Sequence, residues 1–85
     1  METKLNKIIQ KLYHNYDYKV CLEYFSNGTF LDDCIKYFDK ENVNNVLEYI
    51  TDTVYDINND YRYKEHGEIK LKEMLKVCIK MLNNK

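Results

Sequence analysis

The sequence predicts an all-α fold, a compact bundle of four to five short helices forming a single helical domain over residues 1–85. Apolar residues recur at intervals of three and four through most of the chain, which is the spacing of one helix face. No segment alternates polar and apolar residues over the length of a strand. With 85 residues and 45% hydrophobic content, the chain has room for one modest core.

Five helices account for this spacing, and two glycines mark two of the four breaks between them. Asn27 and Gly28 predict a helix stop, because both tolerate the left-handed backbone of a C-cap. Thr29 then opens a helix, with Asp32 as the second member of a capping box. A polar loop is predicted to end at Gly67. The predicted helices cover residues 3–15, 17–26, 29 onward, 42–60 (the longest) and 68–82.

Each predicted helix presents one apolar face to the core. The predicted core residues are Leu5, Ile8, Ile9, Leu12, Val20, Cys21, Tyr24, Phe25, Phe30, Leu31, Cys34, Ile35, Phe38, Val43, Val46, Leu47, Ile50, Val54, Ile57, Leu71, Met74, Leu75, Cys78, Ile79 and Leu82.

The residue patterns of catalytic, metal and cofactor sites are missing from the sequence. Two isolated glycines cannot form a phosphate-binding loop, and His14 and His66 are remote from each other and from any cysteine at metal-ligand spacing. Ser26, the only serine, is next to a predicted helix end, and no Ser-His or Cys-His pairing follows from the spacing. We therefore expect no enzymatic activity, no catalytic residues, no metal and no cofactor.

One short motif resembles the first five positions of a calcium-binding loop. Asp56, Asn58 and Asp60 occupy its first, third and fifth positions. Its sixth position is Tyr61 instead of glycine, and its twelfth is Gly67 instead of a bidentate glutamate. We therefore exclude calcium binding at this segment.

The cysteines and the hydropathy of the chain indicate the cellular compartment of the protein. The three cysteines are odd in number and widely spaced, which is typical of reduced thiols and not of a secreted disulfide scaffold. No stretch approaches the length of a membrane span or has the pattern of a signal peptide. We expect a cytoplasmic protein without a membrane partner.

The charge is strongly segregated along the chain. Residues 32–60 contain eight acids and two lysines, a net −6, whereas residues 61–85 contain seven bases and three acids, a net +4. Residues 1–31 contribute +1, which gives the total of −1. The central segment is therefore the candidate for a charged interaction surface.

The acids of the fourth helix form a row with a spacing of four residues, flanked by tyrosines. Such a row carries a small energetic penalty, because like charges four apart destabilise a helix and acids near its C-terminus oppose the helix dipole. A binding face for a basic partner explains the row, with tyrosines supplying contact area. A solvated face would show the same pattern, and Lys72, Lys76 and Lys80 of the fifth helix could pair with it. The predicted partner-binding residues are Glu48, Tyr49, Asp52, Tyr55, Asp56, Asp60, Tyr61 and Tyr63.

Three functions follow from these features. The first is a small non-enzymatic inhibitor of a basic protein, such as a nuclease toxin or a nucleic-acid-handling defence protein, in the style of toxin-immunity and anti-defence proteins. A composition rich in Asn, Lys, Ile and Tyr indicates an AT-rich gene, which fits this style. The second is a helical nucleic-acid-binding regulator using the lysines of the fifth helix, disfavoured by the near-neutral charge. The third is an oligomerising module, with a homodimer held by acid-to-base complementarity.

Overall fold

The computed structural model describes residues 3–59 and 64–83 and confirms the predicted all-α bundle. Within these ranges the fifth helix is the longest, with 20 residues against 16 for the fourth, contrary to the prediction. None of the described helices is both long enough and apolar enough to cross a membrane. The elements are α1 Lys4–His14, α2 Tyr18–Ser26, α3 Gly28–Lys36, a 3-10 helix Phe38–Glu41, α4 Asn44–Asn59 and α5 Lys64–Asn83.

Helix α5 lies between α1 and α4 and packs against both. Asn6 near the start of α1 contacts Asn83 at the end of α5, with 3.2 Å between Nδ2 and Oδ1. At the other end, the hydroxyl of Tyr16, just after α1, donates to the carbonyl of Glu68, at 2.6 Å. These two contacts make α1 and α5 antiparallel.

Helix α4 is antiparallel to α5 on the opposite side. Asp56 near the end of α4 lies beside Lys70 near the start of α5. Helix α2 contacts both α4 and α5, α3 packs against α2, and the 3-10 helix packs against α3. The fold is therefore two layers, with α1, α5 and α4 in one, and α2, α3 and the 3-10 helix in the other.

The core lies between these layers and draws residues from every element. The most deeply buried large side chains are Phe38, Leu5, Ile9, Ile50, Leu71, Met74, Leu75 and Val46. An aromatic group links α2, α3 and the 3-10 helix, because Phe30 packs edge-on against Phe25 at 5.1 Å between ring centroids and also contacts Phe38. Burial at a spacing of three and four confirms the predicted apolar faces of α1, α4 and α5.

Three predicted core residues are exposed. Leu31 and Ile35 of α3 are 64% and 76% exposed, and Val20 of α2 is also exposed. Helix α3 packs chiefly on α2 and the 3-10 helix, so the side carrying Leu31 and Ile35 faces solvent. Cys34, also predicted in the core, is half-buried.

The connections around α3 differ from the prediction. Asn27 adopts an extended backbone (φ −94°, ψ 175°), so the predicted left-handed stop is wrong. Helix α3 begins at Gly28 and has no side-chain cap, so Thr29 does not act as the N-cap. The left-handed residue is instead Asn42 (φ 55°), which ends the 3-10 helix where the fourth helix was predicted to begin.

Gly67 lies inside α5, which begins at Lys64, four residues before the predicted start at Glu68. A Cβ built on Gly67 would lie 3.0 Å from the Tyr18 hydroxyl oxygen and 3.5 Å from Cγ2 of Ile57. This glycine therefore permits a close approach of α2 and α4 to α5, and it does not end a loop.

The N-terminus of α1 is capped from two sides. The Thr3 hydroxyl accepts a hydrogen bond from the amide of Asn6 at 3.0 Å. The carboxylate of Glu41, at the end of the 3-10 helix, accepts from the amides of Lys4 at 2.8 Å and Leu5 at 3.3 Å. Since the first amides of a helix have no partner within it, these contacts tie the two layers together.

Candidate protein-binding face

The acidic row of α4 consists of Glu48, Asp52 and Asp56, and all three side chains are exposed. Residues four apart are separated by about 6 Å along a helix, so the carboxylates form a line about 12 Å long. The buried positions of α4, such as Ile50 and Val54, lie on the opposite side of the helix. Helix α4 contains no lysine or arginine, so its negative charge is undiluted within the helix.

Among the described residues, Lys70 is the cation that reaches this row. Its Nζ lies 3.9 Å from Oδ2 of Asp56, and both side chains are more than half exposed. Exposed pairs of this kind contribute about 0.2–1 kcal/mol. Among the described residues Glu48 and Asp52 form no ion pair. The sequence analysis considered Lys72, Lys76 and Lys80 as partners of the row. In the described residues it is Lys70 that pairs with it instead.

The two tyrosines beside the row differ in their surroundings. Tyr49 is half-buried, and burial raises its pKa, with further contributions from Cys78 and Glu73 of α5. Tyr55 is 67% exposed. Tyr55 thus presents its ring to solvent, whereas Tyr49 packs against α5. Asp60, Tyr61 and Tyr63 lie outside the described residues.

A set of lysines lies at the opposite edge of the same layer. Lys4, Lys7 and Lys11 of α1 are exposed, and α1 contains no acid. Sequence reasoning missed these residues, because residues 1–31 were counted as one segment in which three acids outside α1 nearly cancel the lysines. Counting charge helix by helix would have shown them.

Helix α5 carries mixed charge between these two edges. Its exposed residues include Ile69, Glu73, Lys76 and Lys80. Lys72 faces α1, where its Nζ lies 6.0 and 5.6 Å from the ring centroids of Tyr13 and Tyr16. We call the solvent side of α1, α5 and α4 the outer face. Of the α1 lysines, Lys4 packs its Nζ over the ring of Tyr37, 3.4 Å from the centroid, and Lys11 lies beside Asp33 of α3.

Two depressions lie on the described surface, away from the acidic row of α4. One depression, about 460 Å³, lies beside Tyr18, Leu22 and Asn58. A second one, about 340 Å³, contains the Tyr24 hydroxyl donating to Asp33 at 2.7 Å. Burial is the main cause that raises the pKa of Tyr24, so this group stays protonated at neutral pH. The described residues hold no cluster of three or more metal-ligating side chains.

Comparison of the chain with protein-family models, curated proteins and solved structures found no match.

Proposed function

We propose that this protein is a small non-enzymatic inhibitor that binds a basic protein partner through the acidic row of α4. The partner class is a nuclease toxin or another nucleic-acid-handling defence protein, whose positively charged active site would accept the row as it accepts phosphates. The protein would act in the cytoplasm, where its three free cysteines stay reduced.

The observation that carries this proposal is the incomplete neutralisation of the row. Glu48 and Asp52 have no cation within the described structure, and Asp56 has one weak partner. A helix that required only solubility would mix acids with lysines, as α5 does. The unpaired carboxylates stand beside Tyr55, an exposed ring that can bury a large area at low entropic cost.

The test is capture of partners from a lysate by the wild-type chain and by Asp52→Lys with Asp56→Lys. We expect the wild type to retain a basic protein after nuclease treatment, and to inhibit its activity when both are purified. The double variant should lose capture and inhibition together, since a reversed row repels a basic site. Circular dichroism would verify that the variant keeps its helix content.

Asp32→Lys with Asp39→Lys is the matched control. It makes the same change of charge at two exposed acids on α3 and the 3-10 helix, in the other layer. It should leave capture intact, because its positions are remote from α4. Equal loss in both variants would mean that only net charge matters, and undiminished capture by the α4 variant would refute the proposal.

Nucleic-acid binding is the second candidate, and the lysines of α1 favour it. Lys4, Lys7 and Lys11 add three exposed cations to the lysines of α5, which the sequence analysis considered alone for this function. A synthetic single-stranded oligonucleotide would test this function by fluorescence anisotropy. Binding that falls steeply with salt would support it, because released counterions make phosphate contacts salt-dependent.

A further inference from the structure

Helix α3 carries two aliphatic side chains, Leu31 and Ile35, that are each more than half exposed. They stand four residues apart, so they form one continuous strip along the helix. We propose that this strip, which we call the α3 face, packs against the α3 face of a second copy of this chain. The inference goes beyond the proposed function and does not depend on it, because the acidic row of α4 lies on the outer face, in the other layer.

The α3 face points away from the core of its own chain. At about 100° per residue, Leu31 and Ile35 lie about 100° and 140° around the helix from buried Phe30, which packs against Tyr24 and Phe25 of α2. Gly28 lies on the same side of the helix as Ile35, and a Cβ built on it would have no heavy atom within 4 Å. The strip from Gly28 to Ile35 is therefore open to a second helix.

An antiparallel pair of α3 helices brings the two strips together. With a twofold axis perpendicular to α3 at the height of Cys34, Leu31 lies about 4.5 Å from the axis on one side and Ile35 about 1.5 Å from it on the other. Because the axis reverses the second helix, each Leu31 lies within about 3 Å in height of Ile35 of the other copy. The four side chains thus alternate between the two copies, with both Ile35 side chains at the centre.

The charges beside the strip favour a second copy as the occupant. Asp32 and Lys36 are both exposed and lie on the same edge of the α3 face. The twofold axis sets this edge of one copy against the same edge of the other. Each residue is about 3 Å in height from the axis, so Asp32 of one copy meets Lys36 of the other, twice. The register that joins the apolar residues therefore also pairs opposite charges.

The contact is small, so the dimer should be weak. Helix α3 has 9 residues and a length of about 14 Å, which places the buried area below the about 1,200 Å² at the lower end of standard interfaces. We therefore expect a dissociation constant of about 0.1–1 mM. Because salt does not screen contacts between aliphatic side chains, the dimer should persist at about 500 mM salt.

Sedimentation velocity of the full chain between about 20 μM and 1 mM tests the inference. The wild type should shift from monomer toward dimer over this range. Leu31→Gln with Ile35→Gln should stay monomeric, because glutamine keeps the helix propensity but removes the apolar contact. Val20→Gln with Ile69→Gln is the matched control, because it replaces exposed apolar residues of α2 and α5 and should dimerise like the wild type. Circular dichroism would verify the helix content of each variant.

The charged pair tests the register of the two helices at low salt. Asp32→Lys or Lys36→Asp alone sets like charges against each other and should weaken the dimer about three- to ten-fold. Asp32→Lys with Lys36→Asp restores opposite charges and the wild-type net charge, so it should regain the wild-type affinity. A double variant that dimerises as weakly as the single variants would overturn the proposed pairing.

Cys34 gives an independent measurement, because it lies at the height of the axis and is half-buried, whereas Cys21 and Cys78 are buried. With helix axes about 9 Å apart, the two Cys34 side chains lie on the same side of the pair, about 10 Å apart. This separation is too long for a disulfide but within reach of a bismaleimide. We expect a cross-linked wild-type dimer, none with Cys34→Ser, and much less with Leu31→Gln and Ile35→Gln.

A wild-type chain that stays monomeric up to about 1 mM would overturn the inference. Equal loss of the dimer in the Val20 and Ile69 control would also overturn it, because the association would then be nonspecific. Asp52→Lys with Asp56→Lys should dimerise like the wild type, since both positions lie in the other layer. A dimer formed as predicted by a chain that captures no basic protein would sustain this inference and refute the proposed function.

Discussion

The carboxylate of Glu41 connects the 3-10 helix to the start of α1, and its removal should destabilise the whole domain. It accepts hydrogen bonds from the amides of Lys4 and Leu5, at 2.8 and 3.3 Å. A neutral N-cap contributes about 1 kcal/mol, and an anion near a helix N-terminus adds about 0.3–1 kcal/mol. Since Glu41 is partly exposed, we expect Glu41→Ala to lower the free energy of unfolding by about 1–2 kcal/mol.

The measurement is urea and thermal unfolding followed by circular dichroism at neutral pH and low salt. A loss of this size lowers the melting temperature of a domain of this length by about 5–10 °C. Glu41→Gln should lose about half as much, because the amide oxygen still accepts one bond but carries no charge. Asp39→Ala is the control, because it removes an exposed acid from the same 3-10 helix. Equal small effects of Glu41→Ala and Asp39→Ala would refute the capping argument.

Two further predictions follow from buried groups. Burial raises the pKa of the Cys78 thiol to about 12 and also raises that of Cys21, so both should react with a thiol reagent at neutral pH more slowly than half-buried Cys34. Timed labelling with mass spectrometry gives the order, and Cys78 reacting first would contradict it. Burial also raises the pKa of Tyr16 and Tyr24 above its ordinary value of 10.0 and that of Cys78 above 9.0. The stabilisation that depends on these groups being protonated is fully present below about pH 9 and is lost at higher pH, because the unfolded chain ionises first. The urea concentration at the unfolding midpoint should therefore fall between about pH 9 and pH 12.

The fold class and most of the core could be predicted, because apolar periodicity is a local property of the sequence. The spacing of Leu71, Met74, Leu75 and Cys78 identifies the inner side of α5 without knowledge of its neighbours. The start of α5 could not be predicted in this way. Gly67 favours a loop by its own propensity, whereas in the structure it lies inside the helix where the Tyr18 hydroxyl comes close to α5.

The sequence also could not predict whether another element covers a given helix face. Leu31 and Ile35 have the spacing of a core face, but periodicity does not say whether another element covers that face. For the candidate site, the alignment of Glu48, Asp52 and Asp56 follows from spacing alone. The burial of Tyr49 against α5 depends on how the helices pack, as does the approach of Lys70 to Asp56.

The Asn6 amide contributes specificity at an apolar contact between helices. Its side chain is nearly buried, donates to Asn83 and accepts from Gln10 at 3.0 Å. Apolar side chains tolerate sliding by one turn at modest cost, whereas a slide of α1 along α5 would leave this amide without its partner in a low-dielectric interior. The pair therefore selects one register of α1 on α5. With α1 fixed at that height, its lysines keep a constant position relative to the carboxylates of α4.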